Sequence, residues 1–214
     1  MQSPAKIVLI AIAAFPVVLA TIHTECYHYF MKKDHCVWAA ADTRQRCTPQ
    51  SGKPPNTRVS KFEPPQHHTN QKTLQRRYTT DHTDTSFEID GGKGICGRYD
   101  TNQPGACLWV GSRPFDGSNA STAGWLNGAK TSNCGKQLYI EREDNHTTVV
   151  YVPLVDGCRF YTKKPSVGCF QIAVTNKTFY DLKPTKKEID QGYFDGLIWD
   201  FNDEKGDKLA NAPV

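Results

Sequence analysis

From Phe87 onward the hydrophobic positions come in short bursts bounded by glycine and polar turns, the pattern of β-strands. Glycines at 91, 92, 94 and 97 punctuate the first part. Leu108-Trp109-Val110-Gly111 reads as a short buried strand and Leu138 to Glu143 as another. Thr147 to Val155 is rich in β-branched residues, which fit a pleated, half-buried surface. Asp144-Asn145-His146 supplies the turn before it and so predicts a hairpin with Asn145 at its tip. Phe170 to Val174 and Leu197 to Phe201 bring the count to about six strands. A helix is expected from Asn176 to Leu182, with the Thr175 hydroxyl accepting a free amide of its first turn. Pro184 and Gly192 break up the path to the last strand.

The first 86 residues follow other rules. Ile7 to Ala20 is an apolar run preceded by Lys6 and closed by Val18-Leu19-Ala20, which describes a secretory signal peptide over residues 1–20. A membrane span needs about 20 apolar residues, and His23 and Glu25 cut this run short. No other segment is apolar enough to span, so no membrane association is expected after cleavage. Residues 21–47 carry three cysteines and too few aromatic residues for a core of their own; they either dock on the β domain or act as a pro-segment. Residues 48–86 are Pro, Thr, Gln, Asn, His and Lys with few large apolar side chains, the composition of a disordered linker. Arg76-Arg77 within it reads as a dibasic processing site or as two solvated cations. His67, His68 and His82 also fall there, where disorder supplies no preformed metal geometry.

Secretion changes the meaning of the eight cysteines at 26, 36, 47, 96, 107, 134, 158 and 169: in an oxidising compartment an even count reads as disulfides. A zinc site would need paired spacings such as Cys-x-x-Cys, which do not occur, and no metal is expected. Sequons at Asn119, Asn145 and Asn176 agree with a secreted glycoprotein. The net charge is +4, with the excess upstream of Phe87; no basic stripe with interleaved aromatics marks the β domain, which argues against nucleic acid. Neither a Gly-x-Ser-x-Gly elbow nor a glycine-rich phosphate loop is present, and no cofactor is expected.

Four segments occur in an order that points to a family. Gly94-Ile95-Cys96-Gly97 is followed by Asn133-Cys134-Gly135-Lys136, then Val155-Asp156-Gly157-Cys158, then Cys169-Phe170-Gln171-Ile172-Ala173-Val174-Thr175 with its helix and the Trp199 strand. This order resembles the double-psi β-barrel of rare lipoprotein A-like proteins, expansins, barwin and family-45 endoglucanases, in its small secreted fungal form. The resemblance covers about residues 87 to 201. It implies a mainly β fold, a six-stranded double-psi barrel with one or two short helices, over residues 87–214. It also implies disulfides Cys96 to Cys134 and Cys158 to Cys169. Cys107 is then left to pair with one of Cys26, Cys36 and Cys47, which would staple the N-terminal segment to the barrel.

The enzymatic relatives carry an aspartate at the position of Ala173, facing an open groove. Glycoside cleavage usually needs two carboxyl groups, and an alanine methyl neither donates nor accepts a proton. Asp156 fits the family's first aspartate and reads first as a carboxylate that caps a loop by accepting backbone amides. The expected ligand groove comprises Tyr99, Asp100, Trp125, Asp156 and Tyr161, with Trp125 the exposed ring because Gly124 and Asn127-Gly128 flank it; Trp109 and Trp199 read as core. The leading expectation is a secreted, extracellular, monomeric, non-catalytic protein that binds cell-wall polysaccharide or an extracellular partner protein, including an effector role. The alternatives are a glycan-cleaving enzyme, endoglucanase-like or lytic transglycosylase-like, using Asp156 with Asp100, and a cysteine-protease inhibitor.

Overall fold

The computed structural model describes residues 21–48, 78–79, 86–89, 91–113, 119–143, 145–194, 196–203 and 205–214. The expected signal peptide, the Arg76-Arg77 pair and His67, His68 and His82 lie outside the described residues. Within them the chain is mainly β, with two sheets and four α-helices.

The first helix, α1, spans Glu25–Asp34. Thr24 caps it, its side chain accepting from the Tyr27 amide. Glu25 sits in its first turn and Lys32 and Lys33 in its last, each sign placed where the helix dipole favours it. His35 ends it in a left-handed conformation. Ten strands follow: β1 Tyr78–Thr79, β2 Ser86–Ile89, β3 Gly92–Gly94, β4 Gly97–Tyr99, β5 Ala106–Trp109, β6 Gln137–Arg142, β7 Asn145–Cys158, β8 Ile172–Thr175, β9 Tyr193–Phe194 and β10 Leu197–Phe201. Helix α2, Pro165–Gly168, lies between β7 and β8, while α3, Asn176–Asp181, and α4, Lys186–Gln191, lie between β8 and β9. The expectation of one or two helices is therefore too low; Pro165 at the start of α2 and the Thr185/Glu188 capping box of α4 nucleate the extra ones.

Eight strands are hydrogen-bonded in the linear order β1-β10-β6-β7-β5-β8-β2-β9, and β3 pairs with β4 separately. The sheet is mixed: β5 runs parallel to β7 and β2 parallel to β8, while β5 is antiparallel to β8. Strand β7 is longer than its sequence pattern implies. It pairs with β6 from Asn145 to Pro153 and then with β5 from Leu154 to Cys158. The predicted β6–β7 hairpin is present, with Asn145 exposed where β7 begins. Tyr78 and Thr79, read as linker, pair with Trp199 and Ile198 as an edge strand.

Alternation along β5 and β8 sorts their side chains to two faces. Ala106, Leu108, Ile172 and Val174 join the main core with residues of β6, β7, β10 and α3, while Cys107 and Ala173 form a second, small cluster with Ile89. The N-terminal segment belongs to the main core. Cys26, Tyr27 and Phe30 are buried in it, and the Phe30 ring stacks on Trp125 at 5.9 Å and meets Phe170 edge-on at 5.2 Å. Arg46 reaches Asp203, a fully buried carboxylate, at 3.0 Å. Gly206 makes room for that guanidinium, since a Cβ there would lie 2.3 Å from Nη1.

The disulfides correct the expected pairing. Cys96 bonds to Cys134, the pair the resemblance implies, but Cys107 bonds to Cys158, Cys26 to Cys169, and Cys36 to Cys47. The physical reason is strand adjacency. Because β5 and β7 are parallel neighbours, Cys107 and Cys158 have Cα atoms 5.7 Å apart, within disulfide reach. Cys169 closes α2, which packs on α1, and so meets Cys26. The N-terminal segment is stapled to the β domain, through Cys169 rather than Cys107.

Candidate functional site

Asp156 lies near the end of β7 under the β3–β4 hairpin. Its Oδ1 accepts from the Ile95 and Gly157 amides, each at 2.7 Å, and its Oδ2 accepts from the Tyr99 hydroxyl at 3.1 Å. The hairpin can close over the carboxylate only because residue 94 is glycine, where a Cβ would fall 2.4 Å from the Asp156 Cγ. The Cys96–Cys134 bond anchors the turn that presents the Ile95 amide. A carboxylate offers about four lone-pair positions, and three donors already occupy Asp156. Little acceptor capacity is left for a substrate.

Most of the expected partners of Asp156 do not converge on it. Tyr99 does, but its hydroxyl is spent on the carboxylate. Asp100 is exposed, and its Oδ1 accepts from the amide and side chain of Asn102 at 2.9 and 3.2 Å. Ala173 is fully buried in the small cluster with Ile89 and Cys107, against which Tyr99, Val155 and Phe160 pack. Residue 173 is thus packed apolar interior. Among the described residues, the chemistry available at this point is one carboxylate with three of its acceptor positions filled.

Trp125 overturns its expectation as an exposed sugar platform: it is fully buried, stacked on Phe30 and meeting Phe201 at 5.2 Å, and its Nε1 donates to the Cys169 carbonyl at 3.0 Å. The flanking glycine that read as loop serves close packing instead, since a Cβ at Gly124 would lie 2.3 Å from the Trp109 carbonyl oxygen. The next polar neighbour is also interior; buried Asn127 donates to the Asn119 carbonyl at 2.9 Å. Trp109 and Trp199 are buried as expected, donating from Nε1 to Thr162 and Phe170 carbonyls. Tyr161 alone of the expected groove residues is wholly exposed, on the loop after β7. Sequence reasoning gave no weight to its neighbours Arg159, Lys163 and Lys164, which are exposed with it.

Among the sequon asparagines, Asn145 is exposed and its Oδ1 accepts from Thr147. At Asn176 the sequon hydroxyl, Thr178, is fully buried and bonded to Gly105. Among the described residues no cluster of His, Cys, Asp and Glu could hold a metal ion, and no helix is long and apolar enough to cross a membrane. No protein-family model matches the chain, and no curated protein matches it in sequence.

Proposed function

We propose that this chain is a secreted, non-catalytic binding protein built on a double-psi β-barrel. The fold reading is supported by the two parallel pairs, β2 with β8 and β5 with β7, joined through antiparallel β5 and β8. Secretion is supported by four disulfides that use all eight cysteines, a pattern of oxidising compartments.

One observation carries the functional reading: Asp156 is held by three protein donors while the matching acid position is buried Ala173. Both retaining and inverting glycosidases need two carboxyl groups flanking the scissile bond. The test is reducing-end release from cellulose, xylan and peptidoglycan by the secreted protein, with Asp156→Asn and Asp100→Asn as controls. No release above the buffer rate is expected. Release that Asp156→Asn abolishes while the protein stays folded would show catalysis and sink the reading.

A further inference from the structure

The segment from Cys158 to Cys169 is tied down at both ends, by disulfides to β5 and to α1. It is fixed between them as well: Trp109 Nε1 donates to the Thr162 carbonyl at 3.2 Å, the Lys164 amide donates to Thr162 Oγ1 at 3.1 Å, and α2 follows at once. Phe160 packs inward against the apolar clusters, whereas Tyr161 stands wholly in solvent at 103% relative exposure. Both residues hold left-handed backbones, φ 48° and 51°, which bulky L-residues adopt only when their surroundings impose it. An exposed ring held this way adds nothing to the core; it is presented.

The charge along this stretch of chain has one sign. No Asp or Glu occurs between Asp156 and Asp181, and Arg159, Lys163 and Lys164 are exposed beside Tyr161. Helix α1 packs on α2, and in its last turn the Lys33 ammonium lies 5.9 Å from the Phe170 ring while pairing with Asp34 at 2.7 Å. The surface therefore offers one flat ring among spaced cations. A neutral glycan is recognised by several flat rings, but Trp109, Trp125 and Trp199 are interior, and the other exposed rings, Tyr151 and Tyr180, belong to β7 and α3 rather than to this loop. A protein interface concentrates apolar anchors and is depleted of lysine.

We infer that the Arg159–Lys164 loop binds an acidic polysaccharide, a polyuronate, with Tyr161 stacked on a sugar face and the cations paired with its carboxylates. This rests on the reading of the chain as a non-catalytic binder. The experiment is affinity electrophoresis of the full secreted chain through polygalacturonate at low and raised salt, beside pull-downs on xylan and cellulose. Retardation by polygalacturonate is expected, weakening as salt screens the charges. Lys163→Ala/Lys164→Ala should weaken it roughly 25-fold, at about fivefold per cation facing an anionic surface. Tyr161→Ala should weaken it several-fold at every salt concentration, because stacking is not screened. Unchanged melting and intact disulfides confirm that the variants fold.

Retardation that the folded loop variants leave intact would overturn the loop as the site. Retention on xylan or cellulose alone would overturn the polyuronate in favour of a neutral glycan, and retention on none of the three would overturn it and leave a protein as partner. New reducing ends in the same incubation would instead signal failure of the non-catalytic reading, which the retardation data do not depend on.

Discussion

Gly94 and Asp156 form one structural unit: the missing side chain of the first makes room for the carboxylate of the second. Gly94→Ala forces a methyl to within 2.4 Å of the Asp156 Cγ and must push the carboxylate off the Ile95 amide. A loss of about 2 kcal/mol in urea unfolding is expected, typical of overpacking. Asp156→Asn keeps the shape and one acceptor oxygen, so it should cost only about 1 kcal/mol, the worth of a weakened hydrogen bond. Equal losses from the two variants would contradict this steric account. Lys136 offers a second test at this scale. Burial, aided by the nearby Lys130 charge, lowers its ammonium from the ordinary 10.5 to about 8. The folded state then binds fewer protons than the unfolded chain between those values, so stability rises as pH climbs from about 8 towards 10.5. From about 10 upward Tyr27, raised to about 12 chiefly by burial and then by Asp42, pulls the other way, because its folded form resists the ionisation that the unfolded chain undergoes near 10. Urea midpoints measured from pH 7.5 to 10 should therefore increase in the native chain and stay flat in Lys136→Met.

At the level of elements, α4 is the clearest case of a helix held from outside. Its Glu188 completes the capping box with Thr185 and also takes both arms of Arg142 from β6, at 2.8 and 3.0 Å. The two side chains are only 9% and 12% exposed, and Arg142 also lies over the Phe194 ring at 5.0 Å. Burial works against the Glu188 charge, but the Arg142 and Thr185 hydrogen bonds outweigh it and hold the carboxyl below its ordinary range. Glu188→Gln should cost about 2–3 kcal/mol at neutral pH, less than breaking a fully buried pair. The difference from the native chain should shrink as acid protonates Glu188; a constant difference down to pH 3 would refute the ion-pair origin. Elements of this kind mark what was legible. Strands β6, β7, β8 and β10 and the Thr175-capped α3 were readable because local pattern decides them. The capping box at Thr185 and the Thr24–Glu25 start of α1 were equally local, and were missed because α1 lies in a segment without a core of its own and α4 in a polar one. The Cys107–Cys158 pair and the burial of Trp125 were not local at all. Both depend on which strands become neighbours, and a tryptophan between glycines looks alike in a loop and in a tightly packed turn. Asp156 was legible as a backbone cap; the exposure of Tyr161 beside Arg159, Lys163 and Lys164 required the loop's actual path.

For the whole molecule the decisive contact is that of residues 21–48 with the β domain. Phe30, Tyr27 and Cys26 fill the main core beside Trp125, and the Arg46–Asp203 pair closes the far side. Removing this segment would uncover the Trp125 and Phe170 rings, leave Asp203 buried without its guanidinium, and strand Cys169 as a free thiol. A chain of residues 78–214 alone is therefore expected to lack the near-ultraviolet dichroism of packed tryptophans and to bind hydrophobic dyes. The covalent share of that contact can be isolated. Cys26–Cys169 is the one bond that joins the cysteines before Arg76-Arg77 to those after it, since Cys36 pairs with Cys47 and the other two bonds lie downstream. With its ends 143 positions apart in sequence, loop entropy assigns the bond about 5 kcal/mol. Cys26→Ser/Cys169→Ser keeps the packing and loses only the link, so its loss should be smaller than that of deleting the segment, roughly 3–5 kcal/mol. A cut at Arg76-Arg77 should yield two fragments that migrate together on a non-reducing gel and separate on reduction. Fragments that separate without reductant would mean the segment is not stapled, and the single-core account of this molecule would fall with it.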